Sequence, residues 1–136
     1  MSVEENVALI RRWFNEVWNQ RRLDAIGEMM APDAVIRGLG EAGEVVRGPA
    51  EFRLFAERFQ KAFSGIQITV EDAFGSGDKV AARWSGEMTH TGDDIGILAT
   101  GRTVRISGMT LARVENGKVV EGWNCWDQLG LKQQLS

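Results

Sequence analysis

Apolar residues recur every three or four positions near the start of the chain, which is the spacing of an amphipathic helix. Ser2 and Glu5 match the capping box that opens such a helix. Its predicted apolar face comprises Val3, Val7, Ile10, Trp13, Phe14, Val17 and Trp18. A shorter helix is predicted around Leu23 to Met30, ended by Pro32, because proline disfavours the helical conformation in the residue before it.

A third helix is predicted to begin at Pro49, since proline suits the first helical position. Gly65 lies just past its predicted end. The apolar stripe of this helix consists of Phe52, Phe55, Phe59 and Phe63. The stripe is expected to be mainly core, and part of it to line a cavity.

After Gly65 the apolar period changes from about 3.6 residues to about 2, which predicts strands. A turn at residues 75–78 separates the first two, and residues 102–114 and 117–127 form a hairpin around Asn116-Gly117. On the strand after the first turn, one parity holds Val80, Ala82, Trp84, Met88 and His90. A shorter strand is predicted at residues 33–37, followed by a glycine-rich loop at 38–48 with a possible strand at 44–46.

The apolar parity changes within residues 102–114. Val104 and Ile106 are apolar on even positions, whereas Met109 and Leu111 are apolar on odd ones. A β-bulge re-aims side chains in this way, so a bulge is predicted at Ser107-Gly108. Helices followed by mostly antiparallel strands predict one α+β domain spanning residues 1–136, with three N-terminal helices packed on a bent sheet.

Composition narrows the possible partners of this 136-residue chain. The net charge is −3 and the basic residues are scattered among acids, so no basic stripe is available for nucleic acid. No apolar run is long enough to span a membrane and no secretory signal is visible, which predicts a cytoplasmic protein. One cysteine excludes an internal disulfide, and one histidine leaves too few ligands for a nitrogen- and sulfur-rich metal site.

Two residues are candidates for proton transfer. His90 has the only side chain type here whose ordinary pKa lies near neutrality. Asp127 follows two tryptophans, Trp123 and Trp126, and shares the parity of Trp123. In an apolar hollow its carboxyl pKa would rise toward an acid/base value; the equally weighted alternative is that Asp127 caps a C-terminal turn.

Several segments resemble the SnoaL-like polyketide cyclase family, in order and over essentially the whole chain. They are residues 5–20 (ENVALIRRWFNEVWNQ), 31–33 (APD), 47–49 (RGP), 80–84 (VAARW), 90–92 (HTG), 100–104 (TGRTV), 117–121 (GKVVE), Trp123 and 126–131 (WDQLGL). The resemblance implies an NTF2-like α+β cone that encloses an apolar pocket, and a homodimer formed through the sheet. It implies cofactor-independent ring closure with Asp127 as acid/base, and His90 matches the histidine of the family's His-Thr-Gly segment. Where many relatives have a histidine, this chain has Arg37, which can hold an oxyanion but cannot act as a base.

The leading hypothesis is therefore a cofactor-free cyclase for a hydrophobic, carbonyl-bearing substrate, closing a ring by aldol chemistry. Asp127 and His90 are its expected catalytic residues. The expected substrate-binding residues are Phe14, Arg37, Phe55, Trp84, Met88, Met109 and Trp123. Hydrolysis or hydration of the epoxide type, polyketide hydroxylation, and a non-catalytic ligand-binding dimer remain open as alternatives.

Overall fold

The computed structural model describes residues 2–40 and 42–136, and within them two α-helices precede the first strand. The α-helices are α1 (Val3–Trp13), α2 (Ile26–Met29), α3 (Gly48–Ala62) and α4 (Gln128–Leu135). A π-helical segment, Phe14–Asn19, continues α1, and a 3₁₀ turn, Leu23–Ala25, precedes α2. The strands are β1 (Met30–Arg37), β2 (Val45–Arg47), β3 (Phe63–Ser76), β4 (Lys79–His90), β5 (Thr103–Glu115) and β6 (Lys118–Trp126).

The strands form one curved sheet in the order β2-β1-β6-β5-β4-β3. Neighbouring strands are antiparallel except β1 and β6, which are parallel. The predicted α+β architecture is confirmed, with α1 and α3 packed on the inner face of the sheet. The three predicted N-terminal helices are present, and the described residues add a fourth, α4, at the C-terminal end.

The start of α1 is capped as predicted. The Glu5 backbone N–H donates to the Ser2 hydroxyl oxygen, and the Ser2 backbone N–H donates to the Glu5 carboxylate, both at 3.1 Å. Side-chain hydrogen bonds connect the π-helical segment that follows to α3 and to β3. The Gln60 amide donates to the Val17 carbonyl at 2.9 Å, and the Asn19 amide exchanges two hydrogen bonds with the backbone of Ile68.

Two predicted boundaries were wrong. Strand β1 begins at Met30, before Pro32, because Met30 already pairs with Val119 of β6. Pro32 lies where the pairing of β1 with β6 is interrupted, a place that tolerates a residue without a backbone N–H. Phe63, expected to end the stripe of α3, is instead the first residue of β3.

The predicted bulge at Ser107-Gly108 was also wrong. Strand β5 pairs with β4 without interruption through both residues. The irregularities lie elsewhere, in the pairing of β1 with β6, of β3 with β4 and of β5 with β6. Met109 and Leu111 therefore stay on the outer face of the sheet, with 59% and 38% of their surface exposed.

Gly108 instead leaves space for the ring of Trp84 and the Cβ atom of Trp126. Gly108 lies on β5, between Trp84 of β4 on one side and Trp126 of β6 on the other. A Cβ atom on Gly108 would lie 2.7 Å from the Trp84 ring and 2.6 Å from the Trp126 Cβ. Both distances are shorter than a carbon–carbon contact allows, so only glycine permits the two tryptophans to flank this position.

We expect Gly108→Ala to destabilise the protein by about 1–3 kcal/mol, because the added methyl overpacks the inner face of the sheet. Gly27→Ala is the matched control, since a Cβ there meets no atom within 4 Å and alanine favours the helix. The measurement is the free energy of unfolding from denaturant titrations. Equal stability of the two variants would show that the indole rings do not need the space at Gly108.

Candidate functional site

The inner face of the sheet and the helices α1 and α3 enclose a cavity of about 100 Å³. The helical wall is aromatic and continues through the π-helical segment. On the helical side the main lining residues are Trp13, Phe14, Trp18, Phe52, Phe55 and Phe59. On the sheet side they are Met30, Ile36, Trp84, Met88, Ile106, Thr110, Asn124 and Trp126.

Aromatic rings contact one another edge to face around the cavity. The Trp18 ring centroid lies 6.3 Å from that of Phe55 and 5.8 Å from that of Phe59, and the Phe59 centroid lies 6.1 Å from that of Trp126. These four side chains are half-buried, so they form the rim between the cavity and solvent. A buried cavity of roughly 150 Å³ holds a benzene molecule, so a ligand with one ring or more must displace the rim.

The sheet wall contains a short polar chain. The Trp84 indole N–H donates to the Thr110 hydroxyl at 3.1 Å, and that hydroxyl donates to the Asn124 carbonyl oxygen at 2.7 Å. The Asn124 amide nitrogen donates to the Arg37 backbone carbonyl at 3.0 Å. None of the described residues that line the cavity has an ionisable side chain, so its interior is neutral.

Four of the residues predicted to bind substrate do line this cavity. Phe14 and Phe55 belong to its helical wall, and Trp84 and Met88 to its sheet wall. The pairing of β4 with β5 is regular between Trp84 and Met88, so the alternation of apolar residues in the sequence correctly assigns both to the inner face.

Met109, Trp123 and Arg37 do not line the cavity, contrary to the prediction. Met109 and Trp123 border a groove on the outer face of the sheet, and the Arg37 guanidinium lies 5.7 Å from the Trp123 ring centroid. For Trp123 the cause is an extra residue, Val120, in β6: Arg113 of β5 pairs with Glu121, and the next residue of β5 pairs with Val119. This bulge turns Trp123 outward and Asn124 inward. Met109 lies on the outer face because β5 has no bulge at Ser107-Gly108.

Arg37 instead belongs to an ion-pair network on the outer face. Glu121 accepts hydrogen bonds from Arg113 at 2.8 Å and from Arg37 at 3.1 Å. The Arg113 guanidinium, supported by Arg37, holds the pKa of the Glu121 carboxyl below its ordinary value. The positive charge of Arg37 is thus already paired with a carboxylate, and the sequence-based role of holding a substrate oxyanion has no support in this position.

Asp127 is exposed and outside the cavity lining, contrary to the prediction that it occupies an apolar hollow. It precedes α4 as the N-cap residue, and its carboxylate accepts the Gly130 backbone N–H at 2.9 Å. This is the capping arrangement that the sequence left open as the alternative.

His90 is fully buried, yet it is not among the residues that line the cavity. The Thr100 backbone N–H donates to its Nδ1 atom at 3.2 Å, which places the proton of the neutral ring on Nε2. The backbone of His90 also bonds to that of Gly101 and Arg102. The histidine therefore joins the two ends of the segment between β4 and β5.

Sequence reasoning missed Thr110, Asn124 and Trp126 as cavity residues. Trp126 donates its indole N–H to the Leu39 carbonyl at 3.0 Å and so fixes the turn after β1. The available signal was the parity of β6, in which Asn124 and Trp126 alternate with Trp123 and Asp127. From Gly122 onward parity separated the two faces, but it did not reveal which one was internal, because the bulge at Val120 also places Val119, of the other parity, in the cavity wall.

Among residues 2–40 and 42–136, no group of three or more histidine, cysteine or acidic side chains is arranged to hold a metal ion. None of the helices in the described part of the chain combines the length and the apolar character needed to cross a membrane.

Comparisons with known proteins agree with this architecture. The family model of the SnoaL-like polyketide cyclases matches residues 8–135. A protein from Jannaschia sp. CCS1 assigned as a SnoaL-like polyketide cyclase is 23% identical, with a TM-score of 0.88 over 98% of this chain and 92% of that one. At this identity the likeness concerns the fold. A comparison with curated protein sequences finds no match.

Two further solved structures from Streptomyces are more similar in sequence. IdmH from Streptomyces antibioticus, assigned as a polyketide cyclase, is 29% identical with a TM-score of 0.82, over 96% of this chain and 97% of that one. AclR from Streptomyces galilaeus, assigned as a hydroxylase, is also 29% identical, with a TM-score of 0.85 over 98% and 82%. Proteins of this shape are thus assigned to more than one reaction.

We expect Asp127→Ala to lower stability by about 1 kcal/mol, because it removes the acceptor for the Gly130 N–H at the start of α4. Asp127→Asn keeps a capping oxygen and should change stability little. Denaturant titrations of both variants measure this difference. If Asp127→Asn instead lost turnover by roughly a hundredfold at unchanged stability, the carboxylate would have a chemical role that capping does not explain.

Proposed function

Because this chain belongs to the SnoaL-like polyketide cyclase family, we propose that it is a polyketide cyclase-type enzyme acting on a compact, neutral, carbonyl-bearing substrate. The observation that supports this most directly is an aromatic cavity in which the polar side chains of the described lining residues are all uncharged. Such a cavity favours neutral apolar compounds, since an ion would lose its hydration without gaining a partner of opposite charge.

The proposed reaction is an intramolecular aldol closure that proceeds through the enol of the substrate. A β-dicarbonyl compound enolises readily, so no ionised side chain has to remove the proton inside the cavity. The enol carbon forms a bond to the carbon of a second carbonyl group, and the enol proton passes to the oxygen of that group. The product is a cyclic β-hydroxy ketone with the same atoms as the substrate.

The protein contributes by folding the substrate and excluding water. An open chain rarely places its two reacting carbons in contact, and a closed site can supply several kcal/mol of the barrier by holding them together. The rim residues Trp18, Phe55, Phe59 and Trp126 are positioned to close over a bound ligand. This mechanism assigns no catalytic role to Asp127 or His90.

Ring closure can be tested with a neutral ester that contains a β-dicarbonyl unit and a more distant ketone. We expect the protein to accelerate formation of a cyclic product, followed by mass spectrometry, with no water or oxygen added. Ala112→Leu should slow the reaction at least tenfold, because Ala112 is buried in the cavity wall and the larger side chain fills the substrate's space.

The matched control is Ala99→Leu, which adds the same group at an exposed position between β4 and β5. A product that gains the mass of water would favour the hydration alternative, and one that gains a single oxygen atom would favour hydroxylation. Acceleration that Ala112→Leu leaves unchanged would mean that the reaction takes place outside the cavity.

We also propose that a second copy of the chain covers the outer face of the sheet. Phe74 and Met109 expose 67% and 59% of their surface there, beside the groove that contains Trp123. Charged groups of both signs border the groove, including the ion pair of Arg83 with Asp72 at 2.6 Å. A face with both signs of charge can be complementary to itself across a two-fold axis.

Met109→Glu should convert the proposed dimer to a monomer, because two carboxylates would be buried at the centre of the apolar patch. Leu54→Glu is the control, since Leu54 is 67% exposed on α3 rather than on the sheet. Sedimentation velocity measures the mass of each variant. A wild-type protein that remains monomeric at concentrations of tens of micromolar would contradict the proposal.

A further inference from the structure

The polar chain on the sheet wall has a fixed direction. The Trp84 indole can only donate, so the Thr110 oxygen accepts from it and the Thr110 hydroxyl hydrogen goes to Asn124 Oδ1. At the other end the Arg37 backbone carbonyl can only accept, so the nitrogen of the Asn124 amide must face it. Both neighbours therefore assign the same orientation to the Asn124 amide.

This orientation leaves one hydrogen of Asn124 unused. The amide nitrogen has two hydrogens, and one is donated to the Arg37 carbonyl. No acceptor for the second is found among the residues that the structure describes. Of the polar side chains on the sheet wall, Trp84 and Trp126 donate their indole hydrogens to Thr110 and to the Leu39 carbonyl, and Thr110 donates its own to Asn124. Asn124 is therefore the side chain of that wall with a donor left for a ligand.

The backbone around Asn124 is also held closely. Gly38 has a φ of +84°, and a Cβ atom there would lie 1.8 Å from the Asn124 backbone oxygen. The chain after β1 thus crosses directly over the end of β6, and Trp126 fixes it there through the Leu39 carbonyl. Asn124 is consequently supported from β1 and β5 at once, which pre-orients its amide before any ligand binds.

We infer that the free N–H of Asn124 binds the carbonyl oxygen of the ligand and selects ketones and esters over hydrocarbons and free acids. A hydrocarbon of the same shape would leave this donor unpaired, and a carboxylate would enter a cavity wall without a cationic side chain. The inference rests on the proposed function for the identity of the ligand class. In the proposed ring closure, the same N–H would stabilise negative charge that develops on the attacked carbonyl oxygen.

The test compares two ligands of nearly equal shape, cyclopentanone and methylenecyclopentane, in binding to the wild type and to Asn124→Leu. Dissociation constants follow from the fluorescence of the tryptophans that line the cavity. We expect the preference of the wild type for the ketone to fall by roughly tenfold in Asn124→Leu, the usual effect of losing one buried hydrogen bond. Affinity for methylenecyclopentane should stay equal or rise, because leucine offers it an apolar surface.

Thr110→Val is the matched control. It removes a polar group from the same chain but keeps the Asn124 nitrogen facing the Arg37 carbonyl, so most of the ketone preference should persist. An unchanged preference in Asn124→Leu would overturn the inference, and so would an equal loss in Thr110→Val.

A second measurement needs no variant and remains available if Asn124→Leu fails to fold. In the wild type, cyclopentanone should shift the magnetic resonance signal of one Asn124 side-chain hydrogen downfield, whereas methylenecyclopentane should not. Equal shifts with both ligands would overturn the inference. These experiments measure binding and are independent of turnover. Ketone selection without ring closure would refute only the proposed reaction. Ring closure without ketone selection by Asn124 would refute only this inference.

Discussion

The close packing of Trp84 and Trp126 against Gly108 is the constraint on which the sheet wall of the cavity depends. Three neighbouring strands place these residues side by side on the inner face, and only the absence of a side chain at Gly108 leaves space for the Trp84 ring and the Trp126 Cβ atom. Each ring then directs its N–H to a defined acceptor, the Thr110 hydroxyl or the Leu39 carbonyl. The polar chain and the turn after β1 are both consequences of how the two rings fit.

Much of the fold could be predicted because the patterns that specify it are local. The capping box at Ser2 and the spacing of apolar residues in α1 and α3 involve residues within one or two helical turns. The inner face of β4 was equally accessible, since its alternation from Val80 to His90 is unbroken. The aromatic helix residues and Trp84 could therefore be assigned to the cavity from sequence.

The candidate site could be predicted only in part, because the orientation of β6 depends on a single extra residue. Val120 shifts the pairing with β5, and a shift of one residue exchanges every later side chain between the two faces. Trp123 and Asn124 are adjacent in sequence, and the alternation of residues around them is the same with or without the extra residue. The sequence therefore does not reveal the shift. The Ser107-Gly108 signal was misread for a related reason: glycine can mark a bulge or a close contact, and the contact involves strands distant in sequence.

The positions of Asp127 and His90 show why chemical identity alone does not assign a catalytic role. Each lies at the end of a strand, where the backbone no longer pairs within the sheet. There a side chain can accept a hydrogen bond from a backbone N–H of the segment that follows. Asp127 accepts a backbone N–H of α4, and His90 accepts one from Thr100. The Asp127 carboxylate thus connects β6 to α4, and the His90 ring connects β4 to the segment that leads to β5.

A cavity whose described lining residues carry no ionisable side chain is still able to discriminate among ligands, because a neutral hydrogen-bond chain has a direction. Indole, hydroxyl and amide follow one another so that each acceptor is matched to a donor, and the unmatched hydrogen appears at Asn124. A charged group in the same place would have required a buried counter-ion and would have attracted water, which competes with the folding of an apolar substrate. A neutral donor avoids both costs while still marking one point of the wall as polar. The aromatic rim can then determine the shape of the ligand, and the amide its orientation.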